Sequence, residues 1–272
     1  MQINGSIVLY KNDIKKISKV IDSFLANKNL EFKLYLLDNS PNNDLNILSK
    51  KDNRIEYIFN NANLGYGKAH NIAIKKSIND GALYHVILNP DIYFDNTVIN
   101  GILKYMEQNL DVGNIMPKVL YPDGEIQYLC KLLPTPIDLV FRRFIPFKGI
   151  KDMINERYEL YFSQYDKIVN IPNLSGCFMF LRVEALKEVG LFDENIFMYL
   201  EDVDLNRRIH QKYKTMFYPH VQIYHEHGKE SYKNKKLLKA HIKSAIYYFN
   251  KWGWFFDKDR KKINNKCINS LL

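Results

Sequence analysis

The residues most able to do chemistry in this chain stand at the ends of apolar runs. Asp91 closes Tyr84-His85-Val86-Ile87-Leu88-Asn89-Pro90. That run is rich in β-formers and reads as a buried strand. Pro90 has no backbone donor and ends it. Ligands in open α/β sheets sit beyond the carboxyl ends of the strands, so an acid there is placed to hold a divalent cation and, through it, a phosphate. Asp38 stands likewise after residues 32–37, ahead of Asn39-Ser40-Pro41. Phe197-Met198-Tyr199-Leu200 delivers Glu201, Asp202 and Asp204 at the start of a helix, and residues 221–224 deliver His225-Glu226-His227. Each feature also has an ordinary reading. Asn-Pro-Asp is common turn chemistry, acids offset the dipole of a first helical turn, and lone histidines are more often structural than ligands. Dipole compensation explains exposed acids better than a pair entered from an apolar segment. Two histidines flanking an acid leave metal ligation open beside the structural reading.

The elements that must position these residues alternate. Ser6-Ile7-Val8-Leu9-Tyr10 reads as a first strand, and Asn12 or Asp13 can cap a helix carrying Ile14, Ile17, Ile21, Phe24 and Leu25 at helical spacing. Residues 32–37 and 55–59 are further strands, and residues 97–107 a helix. Strands alternating with helices imply a parallel sheet with right-handed crossovers. Residues 60–71 hold Gly65, Gly67 and several Asn, which suits a loop with positive φ close to a ligand. The helix after it would offer backbone donors to an anion. The spacing is neither a Walker loop nor a dinucleotide fingerprint, so a plain helix-entry loop is the alternative. Residues 112–116 are apolar, and Pro122-Asp123-Gly124 marks a hairpin. Residues 133–166 give no clear element, and long connections of that kind are often lids or binding loops. Residues 176–181 read as a buried strand, 183–189 as a short helix closed by Gly190, and 215–218 and 221–224 as late strands.

The chain has 272 residues, 46% hydrophobic and 25% charged, enough for one large domain or a domain with an appendage. No apolar run approaches the roughly eighteen residues of a membrane-spanning helix. The first residues lack the basic and apolar regions of a signal peptide. Cys130, Cys177 and Cys267 are far apart and show no metal or disulfide spacing, which points to a reducing, cytosolic setting. The net charge of +9 is carried by residues 229–272, with 12 Lys/Arg against 3 Asp/Glu, while residues 1–228 hold 27 of each sign. A neutral body argues against a nucleic-acid grip, and a basic tail suits an anionic surface. Lys235, Lys236, Lys239 and Lys243 alternate with Leu237, Leu238, Ile242 and Ile246, followed by an aromatic cluster from Tyr247 to Phe256. That pattern fits a helix lying on an anionic membrane and equally a helix packing its aromatics on the body.

Taken in order, Asp38-Asn39-Ser40, Asn63-Leu64-Gly65 with Asn71, Asn89-Pro90-Asp91 and the stretch from Phe197 to Leu205 resemble the family 2 glycosyltransferases, most closely the rhamnosyltransferase-like branch. The likeness covers roughly residues 3–230. It implies an α/β fold of GT-A type: a Rossmann-like, mostly parallel sheet with flanking helices. Residues 1–230 would form the transferase domain and 231–272 a basic helical tail, packed on the body or on a membrane. It further implies an inverting, metal-dependent enzyme using Mg²⁺ or Mn²⁺ and a nucleotide sugar, with no nucleic-acid partner. Leu9 and Tyr10 would line the base pocket, Asp38 would accept from the pyrimidine ring nitrogen, and Asn39 lies beside it. Asn63, Gly65, Lys68 and Asn71 would face the nucleotide and diphosphate. Asn89 and Asp91 occupy the family's D-x-D position, where Asn89 replaces the first acid and leaves one carboxylate for a weaker, substrate-assisted metal site. Asp202 matches the catalytic base, with Glu201 next to it. His225 or His227 matches a histidine completing the metal shell, and Lys229 would approach the diphosphate.

From the resemblance alone, the first expectation for the donor is dTDP-rhamnose, with UDP-hexose or UDP-galactofuranose next. The acceptor would be a glycan or a polyprenyl-diphosphate-linked glycan of cell-surface polysaccharide assembly, at the inner face of the cell membrane. Rival readings are a dehydrogenase or nucleotidyltransferase, whose glycine-rich turn after strand one is replaced here by Tyr10-Lys11-Asn12-Asp13, and a non-catalytic, basic-tailed binding protein, which leaves the acids at strand ends unexplained.

Overall fold

A computed structural model describes residues 2–27, 30–139, 147–226 and 235–272. The first half is an alternating run of strand and helix. β1 (Gln2–Leu9), β2 (Glu31–Asp38) and β3 (Ile55–Phe59) lie parallel, and β4 (Tyr84–Leu88) joins β1 on its other side. α1 (Ile14–Leu25) follows β1. The Asp13 carboxylate caps it by accepting from the Lys15 and Lys16 amides, and its Ile17, Val20, Ile21, Phe24 and Leu25 are buried. α2 (Tyr66–Asn79) packs Ala69, Ala73 and Ile74 inward. β4 is buried along its whole length, which is why its sequence is a continuous apolar run rather than an alternating one.

The second half completes one sheet. It contains β5 (Ile92–Tyr93), β6 (Val112–Leu120), β10 (Phe178–Arg182) and β11 (Lys214–His225), in the order β3-β2-β1-β4-β10-β6-β11-β5. β8 (Val169–Asn170) pairs with β11 off this path, and β7 (Cys130–Lys131) pairs with β9 (Asn173–Leu174) in a small separate ladder. β6 and β11 are parallel, whereas β10 runs antiparallel to both neighbours. The chain leaves β1 for β2 on one side and returns to β4 on the other, so the strand order reverses at β1/β4. A crevice opens at such a reversal, beyond the carboxyl ends of the strands. The helices of this half are α3 (Thr97–Gln108), α4 (Pro136–Leu139), α5 (Lys148–Tyr158), α6 (Val183–Val189) and α7 (Glu201–His210).

Two details depart from the sequence reading. The late strands are a single strand, β11, whose register against β6 breaks between Tyr218 and Gln222. Pro219 lies in that gap and has no N–H to give the ladder, so the strand bulges there instead of ending. Residues 133–166, unassigned from sequence, supply α4, α5 and a 3-10 turn at Tyr161–Ser163. The basic tail forms α8 (Lys235–Trp252) and α9 (Lys258–Asn269). It packs on the body: Ala245, Tyr248 and Phe249 bury against Leu200 and Val203, and Cys267 joins the main core.

Candidate functional site

Strand pairing makes the first part of the site. β5 begins one residue after Asp91 and pairs antiparallel with the end of β11, so Ile92 lies opposite His225. That register sets His225 Nε2 3.3 Å from Asp91 Oδ1. The imidazole is buried, and its Nδ1 lies 3.0 Å from Gln127 Oε1. Gln127 Nε2 donates to the carbonyls of His225, at 2.7 Å, and Leu120, at 3.3 Å. The amide nitrogen is thereby oriented and Oε1 must accept, so Nδ1 carries the proton. Nε2 faces Asp91, donating to its carboxylate while the ring is protonated and offering a lone pair only once that proton has left. A carbonyl-type oxygen fixing Nδ1–H in this way is the usual support of a metal-binding histidine. Burial alone would lower the His225 pKa, but the Asp91 carboxylate and the Cys177 sulfur raise it to about 10. Asn89, in the position of a first acid, has Nδ2 3.5 Å from the same Nε2.

The carboxylates of α7 form the second part. The chain enters this helix through Tyr199 (φ 68°) and Leu200 (φ 71°), both in the left-handed region that non-glycine residues avoid. Such strain persists only where surrounding contacts over-determine it, and here the tail supplies them. Ser244 Oγ donates to Met198 O, Leu200 and Val203 pack on Tyr248 and Phe249, and Trp252 Nε1 donates to Asp204 Oδ1 at 2.8 Å. Arg207 makes a buried two-point pair with Asp257, at 2.7 and 2.9 Å, and stacks over Trp252. Asp204 is therefore engaged by Trp252, Arg208 and Lys251 rather than available for chemistry.

Asp202 accepts from the Gly176 amide at 2.8 Å and from Val203 N at 2.9 Å. Glu201 is buried and its Oε2 has no hydrogen-bond partner. Burial, and then the charge of Asp202, raise the pKa of Glu201; burial raises that of Asp202 against the pull of its two amides.

One side chain joins the two parts. The Tyr66 hydroxyl lies 2.7 Å from Gly176 O and 3.2 Å from Asn89 Oδ1, and Gly176 N holds Asp202. After burial, the charges of Glu201, Cys177, Asp202 and Asp91 all hold the phenol well above its ordinary pKa. Asp91 and Asp202, 111 residues apart in sequence, thus converge on one rim of the sheet. Beside Asp202 opens a cavity of about 1000 Å³, walled by Tyr128, Tyr161, Tyr199 and His241, with Lys131 and Glu201 at its margin.

At the β1/β2 end, Asp38 is fully buried. Oδ1 accepts from Ser40 N at 2.8 Å and Oδ2 from the Tyr57 hydroxyl at 2.5 Å. Asn39 donates to Gly65 O and accepts from Asn60. Leu9 is wholly in the core, so it lines no open pocket here; Tyr10 is half exposed. Asn63 accepts from Gly65 N. Gly65 has φ 83° and packs so tightly that a Cβ there would lie 2.1 Å from Phe197 O. Lys68 is exposed and pairs with Glu194 at 3.7 Å. The Asn71 amide accepts from Phe192 N and donates to Phe192 O and Glu194, so it clamps the segment leading to α7. His227 and Lys229 lie outside the described residues.

A sequence profile described as Glycosyl transferase family 2 matches residues 6–190, about two-thirds of the chain. The chain belongs to glycosyl transferase family 2. The matched span of this glycosyltransferase includes Asp38, Asn89 and Asp91 and ends before Glu201, Asp202 and His225. A curated relative from Mycobacterium tuberculosis, N-acetylglucosaminyl-diphospho-decaprenol L-rhamnosyltransferase, is 25% identical over 210 residues, covering 71% of this chain and 67% of that protein. The crystal structure of S. aureus TarS superposes with a TM-score of 0.61 at 15% identity, covering 99% of this chain and 43% of that one. GalNAc-T7, crystallised with UDP, GalNAc and Mn²⁺, gives 0.60 at 13% identity over 82% of this chain and 43% of that one. Those likenesses show the fold, which is the expected GT-A α/β architecture. The chain spans less than half of the first solved structure it matches.

Several site residues escaped the sequence reading. Tyr66 sits inside the Gly65–Gly67 turn that sequence marks as a ligand loop, so its place was signalled although its hydroxyl's reach was not. Gln127 carried no signal, since its two bonds to β11 join residues 98 apart. Among the described residues no cluster of three His, Cys, Asp or Glu side chains could hold a metal alone. Asp91 and His225 do offer a paired oxygen and nitrogen donor of the right hardness for a divalent cation whose other ligands come from the substrate.

Proposed function

We propose that this glycosyltransferase moves a sugar, with inversion, from a nucleoside-diphosphate donor to a hydroxyl of a neutral saccharide, with Asp202 as the general base. The observation that carries the reading is the convergence of Asp91–His225 and Asp202 about Tyr66 and Gly176. The donor's diphosphate lies at the Asp91 end and the acceptor in the cavity beside Asp202. The acceptor oxygen attacks the anomeric carbon as the bond from that carbon to the phosphate oxygen breaks. The electron pair leaves with the nucleoside diphosphate, and the hydroxyl proton passes to Asp202. A positioned base of this kind contributes about 10²–10⁴-fold, and burial, which raises the pKa of Asp202, makes its carboxylate a stronger base than an exposed one. Asp91 and His225 are the residues that would hold Mg²⁺ or Mn²⁺, which as a Lewis acid offsets charge on a leaving diphosphate. In this reading Asn89, Gly65 and Lys68 approach the diphosphate.

The cavity walls favour a sugar ring without charge. Among the described residues lining the cavity, Glu125, Glu159 and Asp202 stand with Lys131 and Lys151, and Glu201 holds its proton through a raised pKa, so the walls offer a phosphate no excess of cations. Tyrosine rings supply the apolar faces on which pyranose C–H edges stack. A lipid-diphosphate acceptor therefore places its sugar within and its phosphates at the Lys151 edge. The rhamnosyltransferase relative, whose name includes such an acceptor, supports rhamnose as the sugar moved, with dTDP-rhamnose the first choice of donor in this reading; UDP-linked hexoses are the alternative, in line with the TarS complex with UDP-GlcNAc.

The test is a thermal-shift screen of nucleotide sugars with and without Mn²⁺, since ligands of the folded state raise the melting temperature, followed by transfer assays on Asp202→Asn. The variant should bind donor as the parent does and transfer 10²–10⁴-fold more slowly. Normal turnover would remove Asp202 from the role.

A further inference from the structure

α5 stands at the mouth of the cavity with an unusual distribution of side chains. Lys151, Asn155 and Tyr158, at i, i+4 and i+7, line the cavity. The adjoining edge of the same helix carries Phe147, Ile150 and Met153, and these are 67%, 46% and 64% exposed. Among its residues only Tyr158 is buried, so the helix contributes little to the core and its apolar edge faces outward. Tyr158 and Arg157 also line a second cavity, of about 420 Å³, whose far side is the turn between α8 and α9. That turn presents Phe255 and Phe256, 70% and 97% exposed.

The exposed aromatic pair is not a frayed end. Gly253, with φ 102°, tightens the turn. The buried Arg260 guanidinium stitches it by donating to the carbonyls of Gly253, Trp254 and Phe255, and also to Pro134 O on the body. Buried hydrogen bonds from one cation to four carbonyls fix the backbone while both phenyl rings stay in solvent. Exposed residues of α5 and the start of α9, the two helices that flank this face, are Lys148, Lys151, Arg157, Lys258, Lys261 and Lys262 against Asp152, Glu156 and Asp259, and Lys151, Arg157, Lys258 and Lys261 line the two cavities. Protruding apolar side chains on rigid backbone, ringed by excess cations, match an anionic bilayer surface.

We propose that the outer edge of α5 and the Phe255–Phe256 turn together dock on an anionic lipid bilayer and hold the cavity mouth against it. The sugar of a lipid-linked acceptor then enters past Lys151 while its lipid stays in the membrane. The docking deepens the transferase reading by naming the surface from which that acceptor comes. It assigns the contact to a face other than α8, whose Ala245, Tyr248 and Phe249 are buried on the body while Ile242 and Ile246 stay about half exposed.

The test is co-sedimentation of the full chain with vesicles of phosphatidylcholine alone or mixed with phosphatidylglycerol. Compared with the parent are Phe255→Ser/Phe256→Ser, Ile150→Ser/Met153→Ser and Lys258→Gln/Lys261→Gln/Lys262→Gln. Melting temperature serves as the control for folding. The parent should bind only the anionic vesicles, and high salt should weaken it. The aromatic pair variant should lose on the order of tenfold in partitioning, the scale of one phenyl group withdrawn from water. Transfer to a short-chain, water-soluble acceptor should be unchanged in that variant and in Ile150→Ser/Met153→Ser. Equal partitioning of parent and variants, or binding indifferent to lipid charge, overturns the proposal. So does a concentration-dependent dimer abolished by the same substitutions, which would assign the face to a second copy of this chain. An absence of transfer to every acceptor, with vesicle binding still lost in the variants, leaves the docking standing and overturns the acceptor reading alone.

Discussion

Adding one methyl group at Gly176 tests the assignment of Asp202 without touching a charge. Gly176 is buried, and its φ lies outside the left-handed region, so alanine can adopt its backbone. A Cβ built there falls 3.1 Å from Asp202 Cβ and 3.2 Å from its Oδ2. Carbon atoms prefer about 3.5–4.0 Å, so the carboxylate must retreat by a few tenths of an ångström, while the Gly176 amide that holds it remains. A misplacement of about 1 Å can lower a rate about 10²-fold. Scaled to this smaller shift, Gly176→Ala should lower kcat by roughly 3- to 10-fold, or about 0.6–1.4 kcal/mol in the barrier. Donor KM and melting temperature should hardly move, because alanine also restricts the unfolded chain, which offsets part of any strain. Initial rates at saturating donor and acceptor, with a thermal melt on the same sample, provide the readout. A kcat within twofold of the parent, at unchanged stability, would refute the placement of Asp202 at the reacting hydroxyl.

Removing Asp91 (Asp91→Ala) should abolish the Mn²⁺-dependent part of nucleotide-sugar binding in a calorimetric titration, and His225→Gln should weaken it; unchanged manganese dependence in both removes them as ligands. Asp257→Ala strands the buried Arg207 cation, and urea unfolding should show a loss of about 3–5 kcal/mol; a loss below about 1 kcal/mol contradicts the bracing role of that pair. Glu201 has a folded pKa raised above its ordinary value of 4.5, so the native state binds the extra proton. Stability from this group is fullest below that value and declines as pH rises toward the raised one, by at most about 1.4 kcal/mol per pH unit. Glu201→Gln should flatten that decline and gain on the parent at neutral pH, and parallel stability–pH curves for the two proteins would show that the carboxyl group is not desolvated.

The local half of this architecture was legible in sequence because local rules govern it. β1, β2, β3 and β4 announce themselves as apolar runs ended by turn residues, and α1 by its cap and its buried stripe. The strand end ahead of Asp91 was recognisable from Pro90, since a residue without a donor must end the ladder. What sequence did not give was pairing across distance. His225 meets Asp91 because β5, only two residues long, finds the end of β11, and nothing local specifies that register. Asn71 shows the opposite case. An asparagine on the inner face of α2 reads the same whether it faces a ligand or, as here, two backbone groups of Phe192. α5 was invisible for a third reason: it has no side-chain N-cap bond and almost no buried face, so no periodic stripe exists to find.

The tail resolves a choice that sequence left balanced, and the resolution bears on catalysis. Its aromatic residues bury against Leu200 and Val203, and its polar ones hold Met198, Asp204 and Arg207. Each contact falls within ten residues of Asp202, on the segment whose backbone is strained at Tyr199 and Leu200. A left-handed pair costs about 1–2 kcal/mol per residue, and the tail adds its contacts to those of Asn71 with Phe192 and of Tyr66 N with Phe197 O in holding that segment. The basic helices thus help to fix the position of the Asp202 carboxylate beside Gly176. Removing the tail should therefore disturb turnover on soluble acceptors, whereas polar substitutions at the exposed Phe255 and Phe256 should not.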